Sequence, residues 1–260
     1  YVHLVAEMEK RVFADRAEYL GDPAFVDIDM THLISDEYIK RRAMEVKPNE
    51  ISRLESVNPG LQSPNTTHYS IVDADGNAVS NTYTINWAYG SGVVVEGAGF
   101  LLNNEMDDFS VKPGVANIFG VVGNTANEIQ PGKRMLSSMS PTILLQDNKA
   151  VMVIGTPGGS TIFTSVFQAI VNIIDFKMTP LQAASASRFH HQLLPPDLIT
   201  QSPSLPLPDS TIEALTKRGY RVEPHSWEFG DIQVIWKDGE QLIPASDSRD
   251  RGVSKVIDIK

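Results

Sequence analysis

Asn65-Thr66-Thr67-His68-Tyr69-Ser70 marks the point where the character of the chain changes. Upstream, residues 47–64 place Pro48, Pro59 and Pro64 among Ser, Asn and Glu, the composition of a loose polar loop. Downstream, Tyr69-Ser70-Ile71-Val72 and residues 79–85 read as two strands. Asp73-Ala74-Asp75-Gly76-Asn77 joins them, and its Asp-Gly is a strong hairpin signal. Thr66 therefore stands where a flexible segment meets the first strand of a sheet. Freed by cleavage of the Asn65–Thr66 bond, it would carry a hydroxyl and an α-amine on one residue, a nucleophile with its own base. Threonine also opens many strands for no catalytic reason, so the dipeptide alone decides nothing.

The 260 residues suit one large domain or two small ones. A chain near this size buries roughly 70–75% of its unfolded surface, so a core needs neither disulfide nor metal. Hydrophobic residues make up 42% and charged residues 21%, as in ordinary globular proteins. A net charge of −10 argues against nucleic acid or an anionic membrane as partner. The lack of cysteine removes thiol catalysis, disulfides and thiolate metal sites. The longest apolar run, residues 162–176, is interrupted by Thr164, Ser165, Gln168, Asn172 and Asp175, so no membrane span is expected. The pattern at Tyr1 is already helical, which leads us to expect further sequence upstream.

Residues 1–20 read as an amphipathic helix with Leu4, Val5, Met8, Val12, Tyr19 and Leu20 on one side, stopped by Gly21-Asp22-Pro23. A shorter helix follows Ser35 and ends before Pro48. Residues 92–102, rich in valine, suggest a largely buried strand, and residues 112–133 form a long loop without a clear period. Residues 143–145 and 150–154 pair around Asp147-Asn148-Lys149. Gly155-Thr156-Pro157-Gly158-Gly159-Ser160 then feeds a helix over residues 161–175. Thr179-Pro180 starts another helix. Ser210 and Glu213 predict a capping box for a helix that Gly219 ends. Strands over residues 221–223, 232–236 and 242–243 close the chain. Hairpins with intervening helices indicate α+β, with antiparallel sheets covered by helices.

Several clusters carry chemistry or an ordinary structural role equally well. Gly158-Gly159, after a strand and before a helix, is either a tight turn or a pair of N–H donors aimed at one point. It lacks the lysine and spacing of a phosphate-binding loop. Ser137-Ser138 can donate to a carboxylate, and Asn86, Glu105 and Asp108 can surround an ammonium; read alone, these are loop and turn residues. His190-His191 resembles a metal pair, but neighbours on a strand point apart and no third ligand stands at metal spacing. Asp73-x-Asp75-Gly76 opens like a calcium loop yet lacks a glutamate at the twelfth position. Asp107-Asp108, taken as strand neighbours, would face opposite ways. No G-x-S-x-G elbow appears.

TTHYSIVDADGNAV (66–79), NTYTIN (81–86), LLNNEMDDFS (101–110), KRMLSSMSPT (133–142), GTPGGS (155–160), RFHHQ (188–192) and ASDSR (245–249) occur in this order. Together they closely resemble the γ-glutamyltranspeptidase (glutathione hydrolase) family of N-terminal-nucleophile hydrolases. The resemblance extends to residues 1–23, which look like the end of that family's large chain. It implies residues 1–65 as the C-terminal segment of a large chain and 66–260 as the small catalytic chain. The implied fold is a four-layer αββα sandwich.

The resemblance also implies roles. Thr66 cuts the Asn65–Thr66 bond with its own hydroxyl, then attacks the γ-amide of glutathione or a related compound. Its α-amine, with a pKa of about 7.7–8.0, can accept the hydroxyl proton where a lysine near about 10.4 cannot. Thr84 orients the nucleophile, and Gly158 with Gly159 forms the oxyanion hole. Ser137 and Ser138 hold the glutamyl α-carboxylate, while Asn86, Glu105 and Asp108 hold its ammonium. Phe119 takes the lid position where many relatives have tyrosine, so a hydroxyl contact is lost there. The arginine that pairs with the α-carboxylate belongs to the large-chain region absent from these residues. Water or an acceptor amine would release the acyl group, without a cofactor or metal, in a periplasmic or secreted setting. Glutaryl-type acylase, poly-γ-glutamate depolymerase, or an unprocessed scaffold remain open as alternatives.

Overall fold

The computed structural model describes residues 1–53, 66–239, 241–249 and 252–257. Asn65, and with it the expected cleavage point and most of the polar loop before it, lies outside the described residues. Chain order begins with helices α1 (Val2–Tyr19), α2 (Met30–Leu33) and α3 (Asp36–Met44). The hairpin β1 (Thr66–Val72) and β2 (Ala78–Thr84) follows, then after a long irregular stretch β3 (Thr142–Gln146) and β4 (Lys149–Gly155). Helices α4 (Ile162–Ile174) and α5 (Pro180–Ala184) come next, then β5 (Phe189–His190), β6 (Leu198–Gln201) and α6 (Asp209–Arg218). The chain closes with β7 (Arg221–Pro224), β8 (Gln233–Asp238) and β9 (Gln241–Ser246).

This is the expected α+β mixture. A four-stranded antiparallel sheet runs in the order β3-β4-β8-β9. On one face α4 and α5 bury Val166, Ala169, Ile173, Ala183 and Ala184 against Met152, Ile154, Ile232 and Val234. Val153, which alternation turns to the opposite face, is 1% exposed because the β1–β2 hairpin packs there. The contact is intimate: the ring of His68 lies directly on the backbone of Gly155, where a Cβ would collide with it. A second core joins Val5 and Ala6 of α1 to Phe189, Ile199, Leu207, Leu215 and Tyr220 around β5-β6-β7 and α6. The residues before and after the Asn65–Thr66 point thus share packing.

Five expectations change. Residues 92–102 hold only a single bridge, Val94 with Leu101, because Gly92, Gly97 and Gly99 adopt positive φ and break the extended run. The β6–β7 pair is parallel rather than antiparallel. Helix α6 starts at Asp209 on the carbonyl of Pro208, which accepts from Thr211 and Ile212, so Ser210 sits inside the first turn and no capping box forms. Asp107 and Asp108 lie on a 3-10 turn, Glu105–Asp108, not on a strand. Finally, α1 buries His3, Val5, Ala6, Glu7, Glu9, Lys10 and Phe13, whereas Leu4, Met8, Val12 and Tyr19 face outward.

That inverted helix is held by paired charge. Glu7 accepts from Tyr220 Oη (2.8 Å) and pairs with Lys10 (2.9 Å) and Arg11 (3.1 Å), and Lys10 also reaches Asp197 (2.9 Å). Burial alone would raise the Glu7 carboxyl, but hydrogen bonds from Ser52, Lys10 and Tyr220 outweigh it and bring its pKa to about 2. Among the described residues no helix is long and apolar enough to cross a membrane.

Candidate active site

The hairpin fixes the centre. Its register sets Thr66 opposite Thr84, His68 opposite Thr82, and Ser70 opposite Ser80, all on the face turned toward β4. Asp73 shapes the turn by accepting from the N–H groups of Asp75 and Asn77. His68 links β1 to β2 through Thr82 (2.7 Å) and meets Ser70 on its own strand (3.1 Å), and the Ser80 hydroxyl donates to the carbonyl of Ile154 (3.1 Å). Burial lowers the His68 pKa to about 4, so the ring is a neutral strut at neutral pH. At the end of this ladder the Thr66 hydroxyl donates to Thr84 Oγ1 (3.3 Å), which also accepts from the Asn86 N–H (2.8 Å).

Thr66 and Thr84 open into a pocket of about 30 Å³. Its walls include Arg16, Asn86, Asp108, Phe119, Ser137, Ser138 and Gly159. Most of the sequence-derived set therefore meets in one place. Asn86 is buried at φ +74°, a left-handed geometry asparagine tolerates, and its Nδ2 donates to the Asn104 carbonyl (3.3 Å). Gly158 (φ +139°) and Gly159 (φ +57°) turn the chain from β4 into α4, a path open to glycine but strained for other residues. Gly159 reaches the pocket; Gly158 lies just behind it. Ser138 is half-buried, and Ser137 is exposed at the rim with its Oγ accepting from the Met139 N–H.

Glu105 is half-buried and does not line this pocket, but it acts on Asp108 through charge. Burial first, then the neighbouring Glu105 and Asp107, push the Asp108 pKa up to about 7, against the pull of Arg16. Burial also raises the Glu105 carboxyl. Asp108 is thereby poised between charged and neutral near pH 7.

Three contributors escaped the sequence reading. Arg16, in the last turn of α1, donates to Ser138 Oγ (3.1 Å) and stays a cation although burial lowers its pKa to about 10. The only sequence signal was an arginine just before the Gly21-Asp22-Pro23 stop. Asn127, buried in the long loop, donates to the Asp108 carbonyl (2.7 Å) and accepts from the Leu136 N–H (3.1 Å). It ties Asp108 to the serine pair, and nothing in its local sequence sets it apart. Asp22 clamps the same stretch, accepting from the backbone and guanidinium of Arg134, which hold its carboxyl far below the usual range.

Phe119 sits at the tip of a compact turn within the long loop. Asn117 Oδ1 accepts from the N–H groups of Phe119 and Val121, and Asp107 accepts from Ile118. His190 and His191 face different partners. His190 turns to Thr164 and Gln192, while the N–H of His191 donates to Glu9 and its Nδ1 accepts from Leu193.

Residues 1–257 match the family described as gamma-glutamyltranspeptidase. A glutathione hydrolase proenzyme from Pseudomonas aeruginosa is 60% identical over 257 residues, covering 99% of this chain and 46% of that protein. The structure of a gamma-glutamyltranspeptidase from Pseudomonas nitroreducens complexed with L-DON superposes with a TM-score of 0.72 at 59% identity, covering 74% of this chain and 100% of that one. A cephalosporin acylase from Bacillus halodurans superposes with a TM-score of 0.79 at 26% identity, over 95% of this chain and 43% of that one. The chain spans about half the length of the curated relatives it matches.

Proposed function

Because the chain belongs to the γ-glutamyltranspeptidase family, we propose that Thr66 is the N-terminal nucleophile of a γ-glutamyl transferase and hydrolase. The supporting observation is the convergence of Thr66, Thr84, Asn86, Asp108, Ser138 and Gly159 on a single pocket. Cleavage before Thr66 frees an α-amine whose pKa of about 7.7–8.0 suits it to take the hydroxyl proton. Thr84 Oγ1 orients that hydroxyl. The oxygen attacks the γ-carbonyl of glutathione or a similar amide, and the N–H groups of Gly158 and Gly159 receive the oxyanion. The amine leaves with a proton, giving a γ-glutamyl ester on Thr66; water or an acceptor amine then takes the acyl group.

The head group supplies specificity. Ser137 and Ser138, with Arg16 behind Ser138, suit an α-carboxylate. Asn86 Oδ1 and the carboxylates of Asp108 and Glu105 suit an α-ammonium. In this reading residues 1–65 end a large chain and 66–260 form the small one. The part of the full-length protein beyond these residues supplies a further arginine for the carboxylate and covers the outward apolar side of α1. An extracytoplasmic setting follows from the family resemblance.

An acylase taking a glutaryl group is the second reading, favoured by the superposition on the cephalosporin acylase. Full-length protein with γ-glutamyl and glutaryl anilides separates the two, since only the first carries the ammonium that Asp108 would hold. We expect intact mass to show two pieces, one beginning at Thr66. Thr66→Ala should leave one piece and lower turnover by at least about 10³-fold. A single unsplit polypeptide with full activity defeats the proposal.

A further inference from the structure

Gln192 touches three parts of the site without lining the pocket. Its Nε2 donates to the carbonyl of Phe119 at the tip of the long loop (2.9 Å). Its Oε1 accepts from the Ser160 hydroxyl (2.8 Å), inside the short turn that begins at Gly159, and from His190 Nε2 (2.9 Å). Chemistry fixes the orientation of the amide: a carbonyl only accepts, so Phe119 must meet the NH₂ end. Oε1 is then committed as an acceptor, which places the His190 proton on Nε2. His190 Nδ1 then shares the Thr164 hydroxyl proton (2.9 Å) with the Thr161 carbonyl (3.0 Å). Burial holds the His190 pKa down to about 3, so the ring stays neutral at neutral pH.

The pocket is narrow: its volume of about 30 Å³ admits roughly two waters, less than a glutamyl head requires, while Thr66 and Thr84 also border a cleft of about 830 Å³ on the side of Gln233 and Ala245. Asn117, Phe119 and Val121 form the wall contributed by the loop, while β1, β2, α1 and α4 supply the walls built on regular elements. The turn over residues 117–121 is bonded largely within itself and to Asp107, and Gln192 is a side-chain tie from it to the glycine turn. We propose that Gln192 is a positioning residue that latches this loop over the pocket by tying the Phe119 backbone to the glycine turn. Opening breaks the Phe119 bond, while the Ser160 and His190 bonds stay with the turn and keep it braced. The catalytic consequences rest on the γ-glutamyl reading; the latch itself does not.

Two variants of the full-length protein test it. Gln192→Glu keeps both acceptor contacts and loses only the donor to Phe119. Amide hydrogen exchange over residues 117–121 should quicken about three- to tenfold, while exchange in α4 stays within about twofold. With a γ-glutamyl anilide, KM should fall several-fold because a larger fraction of molecules stands open, and kcat should hold within about twofold. Gln192→Met loses all three bonds at similar length; it should quicken the same exchange and also lower kcat, since the turn loses its brace. Unchanged exchange over residues 117–121 in both variants overturns the latch. Faster exchange with KM unchanged or raised in Gln192→Glu overturns it as well. If one variant fails to accumulate, the other carries the exchange test. If no form turns over the anilide, parent included, the γ-glutamyl reading fails and exchange alone decides the latch.

Discussion

Asp108 lines the pocket beside Arg16, and its charge is set by burial against the pull of Arg16 and the push of Glu105 and Asp107. An acid whose pKa is raised to about 7 is charged above that pH and neutral below it, so an ammonium partner weakens as pH falls through 7. Arg16 is the group that opposes this rise. Replacing it in Arg16→Gln should move the acid limb of kcat/KM to higher pH and raise KM roughly tenfold as Ser138 loses its donor. A pH profile on the full-length enzyme checks this; an acid limb that stays put refutes the coupling. The hydroxyls, carboxylates and glycines of the site stood out in the sequence only through the ordered run of seven motifs and the family it resembles, since each motif alone reads as an ordinary loop, turn or strand. Arg16 and Asn127 did not. Each acts across a long sequence separation, and no local pattern encodes a contact between a helix end and a distant loop.

At the scale of elements, local chemistry decided the outcome where it was strong. The Asp-Gly turn, the Thr179 cap with Pro180 behind it, and Gly219 at φ +104° each mark an element boundary as expected. Helix α1 shows where periodicity misleads. Its apolar stripe predicts one buried face, yet the buried face carries Glu7, Glu9 and Lys10. Asp197 and Tyr220, the residues just before β6 and β7, supply the compensation, and no sequence window spans them. Removing one member of such a group strands the others. Glu7→Gln should lower stability by about 3 kcal/mol, read as a lower midpoint in thermal or urea unfolding. The pH sign follows from the depressed pKa. Glu7's contribution is complete above its usual 4.5 and disappears as pH falls toward about 2, so the gap between parent and Glu7→Gln should close over that window. A constant gap from pH 6 to pH 3 would show that the carboxylate charge is not what matters.

Among the described residues, apolar side chains stand exposed along α1 and on the outer side of the β1–β2 hairpin. Leu4, Met8 and Val12 are 39%, 38% and 50% exposed along α1, and Tyr69, Ile71, Val79 and Tyr83 crowd the outer side of the β1–β2 hairpin. Among the described residues the hairpin, the four-stranded sheet, and α4 with α5 stack in that order, so the outer side of the hairpin is where a fourth layer would rest. Alternation and helical period announced these apolar stripes, but they cannot say from which part of a chain the cover comes. If the full-length protein supplies it, burial should make the stripe sensitive. Leu4→Glu with Met8→Glu should change the stability of the 260-residue chain alone by no more than about 0.5 kcal/mol, the usual effect of a surface change. In the full-length protein the same pair should cost about 2–5 kcal/mol, because two apolar side chains would be replaced by charges without partners. Paired unfolding curves for the two lengths measure the difference. Equal tolerance in both would mean that this side of α1 meets water in the full-length protein too.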